Sequence, residues 1–104
     1  MSKIELHAHL NGCVRPDTFM ELVAKFNVDI EDIDFYNVNL EMGFKIFKAL
    51  GQVITSLELV KRITKEMIED YERQNCIYLE IRSSPKVFKD SGIREYFETI
   101  LKVI

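Results

Sequence analysis

Two stretches of this chain alternate apolar and polar residues, and almost everything between them has the spacing of helices. The first is Ile4-Glu5-Leu6-His7-Ala8-His9-Leu10-Asn11, with apolar residues at even positions and polar ones at odd positions. The second is Ile77-Tyr78-Leu79-Glu80-Ile81-Arg82-Ser83-Ser84, closed by Pro85. A period of two sends successive side chains to opposite faces of a strand. The pattern therefore predicts strands near residues 3–10 and 77–83. Strands joined by a long helical crossover pair in parallel, because a hairpin needs a tight turn. The predicted class is α/β.

The crossover divides into helices. Pro16 suits a first helical position, where a missing N–H costs nothing. Phe19, Leu22, Val23 and Phe26 then recur at helical spacing, so a helix is predicted near 16–26. Asn27 to about Leu40 is acidic and loop-like, and Asp29, Glu31, Asp32 and Asp34 read as a solvated cluster. A second helix near 41–53 carries Phe44, Phe47, Leu50 and Ile54. Thr55 with Glu58 has the form of a capping box and opens a third helix near 56–74, with Leu59, Val60, Ile63, Met67 and Tyr71 as its core stripe. Asn75 is a left-handed stop. A last helix near 92–104 places Ile93, Phe97, Ile100, Leu101 and Ile104 on one side, and the Met and Phe residues of all the helices are read as core.

Composition narrows the class of protein. The 104 residues carry 14 Lys+Arg and 17 Asp+Glu for a net charge of −3, and 47% are hydrophobic, the profile of an ordinary globular chain. No apolar run approaches the roughly 20 residues of a membrane helix, so no membrane is expected. No basic stripe is present to neutralise phosphates, which argues against nucleic acid. No signal-peptide pattern opens the chain, so a cytoplasmic location and reduced Cys13 and Cys76 are expected. Two parallel strands leave open edges and little core, and the last helical pattern runs to Ile104 without a stop. The sequence thus reads as the beginning of something larger, with open sheet edges that offer pairing.

His7-Ala8-His9 is the sharpest chemical feature. Residues i and i+2 of a strand share a face about 6.6 Å apart, so two imidazoles can converge on one ion, whereas neighbours at i and i+1 cannot. The alternative is an ordinary pair of histidines. Asn11 continues the same face to the C-terminal rim, where α/β proteins place ligand contacts; Asn11 and Gly12 as a simple turn is the other reading. Ser83, Ser84 and Lys86 supply two hydroxyls and an ammonium at the end of the second strand, fit for a polar or phosphorylated ligand or for an ordinary loop. Cys13 is read as a small filler in preference to a further soft ligand, and Cys76 as buried and inert. Glu5, Glu80 and Arg82 share the polar faces of the strands, and an ion pair of Arg82 with Glu5 or Glu80 is expected, since an unpaired buried charge is costly.

Lys3-Ile4-Glu5-Leu6-His7-Ala8-His9-Leu10-Asn11-Gly12 resembles the opening strand of the adenosine/AMP deaminase family of the amidohydrolase superfamily. Tyr78-Leu79-Glu80-Ile81-Arg82-Ser83-Ser84-Pro85-Lys86 resembles its second strand and following loop, and Phe44-Lys45-Ile46-Phe47 its Phe-x-x-Phe helix beside the substrate pocket. Asn11, where adenosine deaminases proper usually carry Asp, places the likeness closest to the branch that acts on N6-methyl-AMP. The resemblance implies the first two strand–helix units of a TIM (β/α)8 barrel of metal-dependent hydrolase type, with residues 1–104 as a partial, truncated domain. It implies one Zn2+ ion on His7 and His9, and contacts to a purine nucleoside or nucleoside monophosphate from His9, Asn11, Ser83, Ser84, Pro85 and Lys86. Gly51 stands where the family would place a substrate-contacting His.

The implied chemistry is hydrolytic deamination, in which zinc acidifies a water that attacks C6 of the purine. The third zinc His, the proton-shuttling Glu, a further His and the late Asp come from later strands of the family. His7 and His9 are the only histidines here, so no catalytic residue is assigned within this chain. A barrel of this type takes about 250 residues, and the isolated chain is expected to be inactive. The alternatives are a non-catalytic truncated paralogue or gene fragment acting as an interaction module, and another amidohydrolase built on the same H-x-H strand.

Overall fold

The computed structural model describes residues 3–37, 39–84, 86–88 and 92–104. The elements run β1 (Lys3–His9), a 3-10 turn (Leu10–Cys13), α1 (Pro16–Phe26), α2 (Leu40–Val53), α3 (Leu57–Arg73), β2 (Cys76–Arg82) and α4 (Ile93–Val103). They gather into two compact units, Met1–Arg15 with Ser56–Ile104, and Pro16–Thr55. Among the described residues no helix is long and apolar enough to cross a membrane.

The first unit is built on a parallel β1–β2 pair. Asn75 takes the left-handed conformation (φ 59°) directly after α3, and its carbonyl accepts the Lys3 N–H at 3.0 Å. That bond sets the two strands off side by side and in the same direction. The ladder is not regular: one step of β1 (Lys3 to Ile4) matches two of β2 (Cys76 to Tyr78), and then three steps of β1 (Glu5 to Ala8) match two of β2 (Leu79 to Ile81). This is a bulge, and it breaks the expected alternation. Ile4 and Leu6 stand exposed, while Glu5 is half-buried and Ala8 and Leu10 are buried.

Helix α3 packs against β2, the 3-10 turn and α4. Its buried stripe is Val60, Ile63, Thr64 and Met67. Thr64 is tolerated there because its hydroxyl donates to the Val60 carbonyl at 2.7 Å, the usual outlet for a threonine inside a helix. The capping residue is Ser56, not Thr55: the Ser56 hydroxyl accepts the Leu59 N–H at 3.3 Å. Glu58 therefore sits one position too early for a capping box, but its charge still favours the positive end of the helix. Arg15 ties the end of the 3-10 turn to α3, with its Nε donating to both Asp70 carboxylate oxygens at 3.0 Å and its Nη2 2.9 Å from Asp70 Oδ1. That carboxylate raises the Arg15 pKa further above its ordinary value.

Helix α4 corrects the sequence reading most. Its buried side chains are Tyr96 and Ile100, one turn apart, whereas Ile93, Phe97, Leu101 and Ile104 are exposed. The helix is apolar around much of its circumference, and periodicity alone does not say which stripe is covered. Gly92 caps its start, and the Glu95 carboxylate accepts the Gly92 N–H at 2.9 Å. The peptide N–H groups of that first turn, its own and that of Gly92, hold the Glu95 carboxyl below its ordinary pKa.

In the second unit α1 packs on α2. Thr18, Phe19, Leu22 and Val23 are buried on α1, and Ala49, Leu50 and Val53 on α2. Phe44 and Phe47 are exposed rather than core. The acidic loop is ordered by its own carboxylates: Asp34 accepts the Tyr36 and Asn37 N–H groups at 2.9 and 3.2 Å, Asp29 accepts that of Glu31 at 2.9 Å, and Asp32 pairs with Lys45 at 3.4 Å. Acceptance of the Tyr36 N–H holds the Asp34 carboxyl below its ordinary pKa. Asn39 starts α2 by accepting the Met42 N–H at 2.9 Å.

The placement of the α3 cap is testable. Ser56→Ala is expected to cost about 1 kcal/mol of stability, and Thr55→Ala a few tenths at most, measured by urea unfolding. A larger loss for Thr55→Ala than for Ser56→Ala would overturn the assignment.

Candidate functional site

Parallel pairing places the C-terminal ends of β1 and β2 at one rim. His9 is the last residue of β1 and lies opposite Arg82, the last residue of β2. The residues that follow, Asn11 in the 3-10 turn and Ser83 and Ser84 beyond β2, leave from that rim. Asn11 is half-buried and Ser84 exposed. Pro85 lies outside the described residues.

The two imidazoles converge. His7 Nε2 is 2.9 Å from His9 Nε2, with ring centroids 4.7 Å apart and planes at 67°. Both residues are exposed. At this distance one ring donates its N–H and the other accepts it. A tetrahedral zinc bonded to two nitrogens at about 2.0–2.1 Å holds them about 3.3–3.4 Å apart. A small rotation of either ring converts the hydrogen-bonded pair into that bite. The donor set fits half of a zinc site. Among the described residues no group of three or more His, Cys, Asp or Glu side chains could hold a metal ion.

The strand bulge lies directly beneath this pair, and one peptide unit within it is satisfied by side chains at both ends. The Glu5 carboxylate accepts the His7 N–H at 3.3 Å. The Arg82 guanidinium donates to the Leu6 carbonyl through Nε at 3.4 Å and Nη2 at 3.3 Å. Arg82 also lies 3.7 Å from Glu80, and Glu80 accepts the Tyr78 hydroxyl at 3.0 Å, which raises the Tyr78 pKa. Of the two alternative partners expected for Arg82, it is Glu80 that pairs with it, half-exposed. Arg82 and Glu5 act on opposite ends of the Leu6–His7 peptide instead of on each other.

The other predicted residues are placed as follows. Ser83 turns its hydroxyl to Tyr96 OH at 2.5 Å. The Lys86 ammonium lies over the Phe88 ring, 5.7 Å from its centroid. Cys13 meets Tyr71 OH at 3.7 Å; that bond, with burial and the charges near it, pushes the Tyr71 phenol up to about 12. Cys76 is half-buried and its thiol donates to the Tyr78 carbonyl at 3.0 Å. Sequence reasoning missed Arg15 and Tyr96: the acidic partners of Arg15 lie 51 or more positions away, and Ser83 and Phe88 lie 13 and 8 positions from Tyr96, so these contacts leave no local pattern.

The family model for adenosine deaminase matches residues 2–104. The chain belongs to the adenosine deaminase family. It is 36% identical to an N6-mAMP deaminase of Arabidopsis thaliana over 98% of its length, and 33% identical to an N6-methyl-AMP deaminase of Homo sapiens over 100%. An adenosine deaminase of Vibrio atlanticus is 34% identical over 89% of the chain. The structure superimposes on Arabidopsis ADAL complexed with GMP with a TM-score of 0.86 at 34% identity, covering 99% of this chain and 33% of that one. The ADAL–IMP complex gives a TM-score of 0.85 with the same coverage. The chain spans about a third of the length of the relatives it matches: 32%, 32% and 31% of the three curated proteins.

The shared peptide makes Glu5 and Arg82 energetically coupled. Glu5→Met and Arg82→Met, which each remove the polar partner, are each expected to cost on the order of 1 kcal/mol, and the double variant clearly less than the sum. Strict additivity in urea unfolding would show that the two side chains act independently.

Proposed function

We propose that this chain forms the first two strand–helix units of a zinc-dependent purine deaminase barrel, and that the reaction of the whole is hydrolytic removal of the C6 amine from a nucleoside monophosphate of the N6-methyl-AMP type. The observation that carries the reading is the convergence of His7 Nε2 and His9 Nε2 at the strand rim, beside Asn11 and the segment after β2. Family membership, N6-methyl-AMP deaminases among the relatives, and solved relatives complexed with GMP and IMP support it.

In this reading His7 and His9 hold the ion, which supplies the electrophile that acidifies water. His9 and Asn11 bear on the purine. Ser83, Ser84, Pro85 and Lys86 form the segment that contacts the nucleotide, with hydroxyls to accept and donate and an ammonium to meet a phosphate. Arg82 and Glu5 fix the peptide that carries His7. A general acid or base is not assigned among these residues. Two ligands and no acid–base group make the 104-residue chain a weak zinc binder without turnover.

Calorimetry with zinc tests the reading. One weak site is expected, far weaker than a closed four-ligand site, and His7→Ala and His9→Ala should each abolish it. Binding should fade as the pH is lowered, because zinc takes imidazole in its neutral form. Undiminished binding in either variant would overturn the ligand assignment, and release of methylamine from N6-methyl-AMP by the chain alone would overturn its inactivity.

A further inference from the structure

One buried side chain grips both ends of the segment that follows β2. Tyr96 is only 3% exposed, on the face of α4 that packs in the first unit. Its hydroxyl is 2.5 Å from Ser83 Oγ, at the first residue beyond the strand. Its ring stacks on Phe88, with centroids 6.5 Å apart and planes at 29°. Phe97 meets the same ring edge-on at 5.7 Å. Between the two gripped positions lie Ser84 and Lys86, and Lys86 in turn rests over the Phe88 ring.

We propose that Tyr96 is a positioning residue for the nucleotide-contacting segment: its hydroxyl fixes Ser83 and its ring fixes Phe88, so that Ser84 and Lys86 are presented at the rim shared with His9 and Asn11. The proposal rests on the reading of this rim as a nucleotide site. Ser83 is half-buried with its hydroxyl held by the helix layer, while Ser84, the next residue, stands exposed. A short bond to a rigid, buried phenol restricts Ser83 to one rotamer, and a serine released from it samples several. Preorganising a binding segment in this manner improves affinity by removing part of its ordering cost. The division of labour differs from the one implied by resemblance: Ser83 supports the segment, and Ser84 with Lys86 meets the ligand.

The experiment uses the 104-residue chain with zinc, titrated with IMP and followed by the amide resonances of Asn11, Ser84 and Lys86. Tyr96→Phe removes only the hydroxyl. It is expected to weaken IMP binding about tenfold, the worth of one lost hydrogen bond, while leaving zinc affinity unchanged. It should also convert the Ser83 Hα–Hβ couplings from a single-rotamer to an averaged pattern. Ser83→Ala should reproduce the loss, and the double variant should add nothing to it; Ser83→Ala takes the place of Tyr96→Phe if the latter loses its melting transition. Unchanged IMP affinity in both variants overturns the proposal, as does a parallel loss of zinc affinity, which would mark a merely structural bond. If the parent chain binds no IMP, the nucleotide reading fails, and the Ser83 couplings decide the positioning role: averaging in Tyr96→Phe supports it, and a retained single rotamer overturns it.

Discussion

The peptide unit between Leu6 and His7 holds the candidate site together. A bulge takes this unit out of the regular parallel ladder, and a polar group removed from its ladder partner must find another. Both of its ends are answered by side chains: Glu5 takes the N–H and Arg82 reaches the carbonyl from the neighbouring strand. The two imidazoles that follow lie with their Nε2 atoms in contact. Without either partner, one end of this peptide would lose its hydrogen bond. Irregular ladders of this kind are common beside functional sites.

Around this point the first unit supplies rigidity. Asn75 and Lys3 fix where the strands start, Arg15 clamps the turn after β1 onto α3 through Asp70, and Tyr96 holds the segment after β2. Each restraint acts at the end of an element and not in its middle. A site made of residues from two strand ends needs such restraints, because the loops that carry it have little packing of their own. The core beneath, with Leu10, Val60, Ile63 and Met67 fully buried, is the platform on which these restraints rest.

Much of this was legible in the residues. Pro16 marked the start of α1, Asn75 marked the end of α3, and the two alternating runs marked a parallel pair whose shared rim carries His7, His9, Asn11 and Ser83. Each is a local signal: a fixed φ, a left-handed position, a period of two. The bulge was not legible, because Ile4–Leu10 alternates in sequence whether or not the ladder slips. Thr55 and Ser56 are chemically alike, and only the backbone decides which hydroxyl meets an orphan N–H. Phe44, Phe47, Phe97 and Leu101 have core periodicity but stand exposed, since a stripe records what a helix is able to bury and not what lies against it. The Arg15–Asp70 contact joins residues 55 positions apart and Tyr96–Ser83 joins two elements across a loop, and neither has a sequence signature.

The central claim is that His7 and His9 act as one metal-binding pair. Long-range 1H–15N spectra of the two imidazoles during a zinc titration test it most directly. The Nε2 resonances of His7 and His9 are expected to move together to metal-bound positions, and to return together when a chelator is added. Movement of only one of them, or binding at Cys13, Cys76 or the 29–34 carboxylates with both imidazoles unaffected, would contradict it.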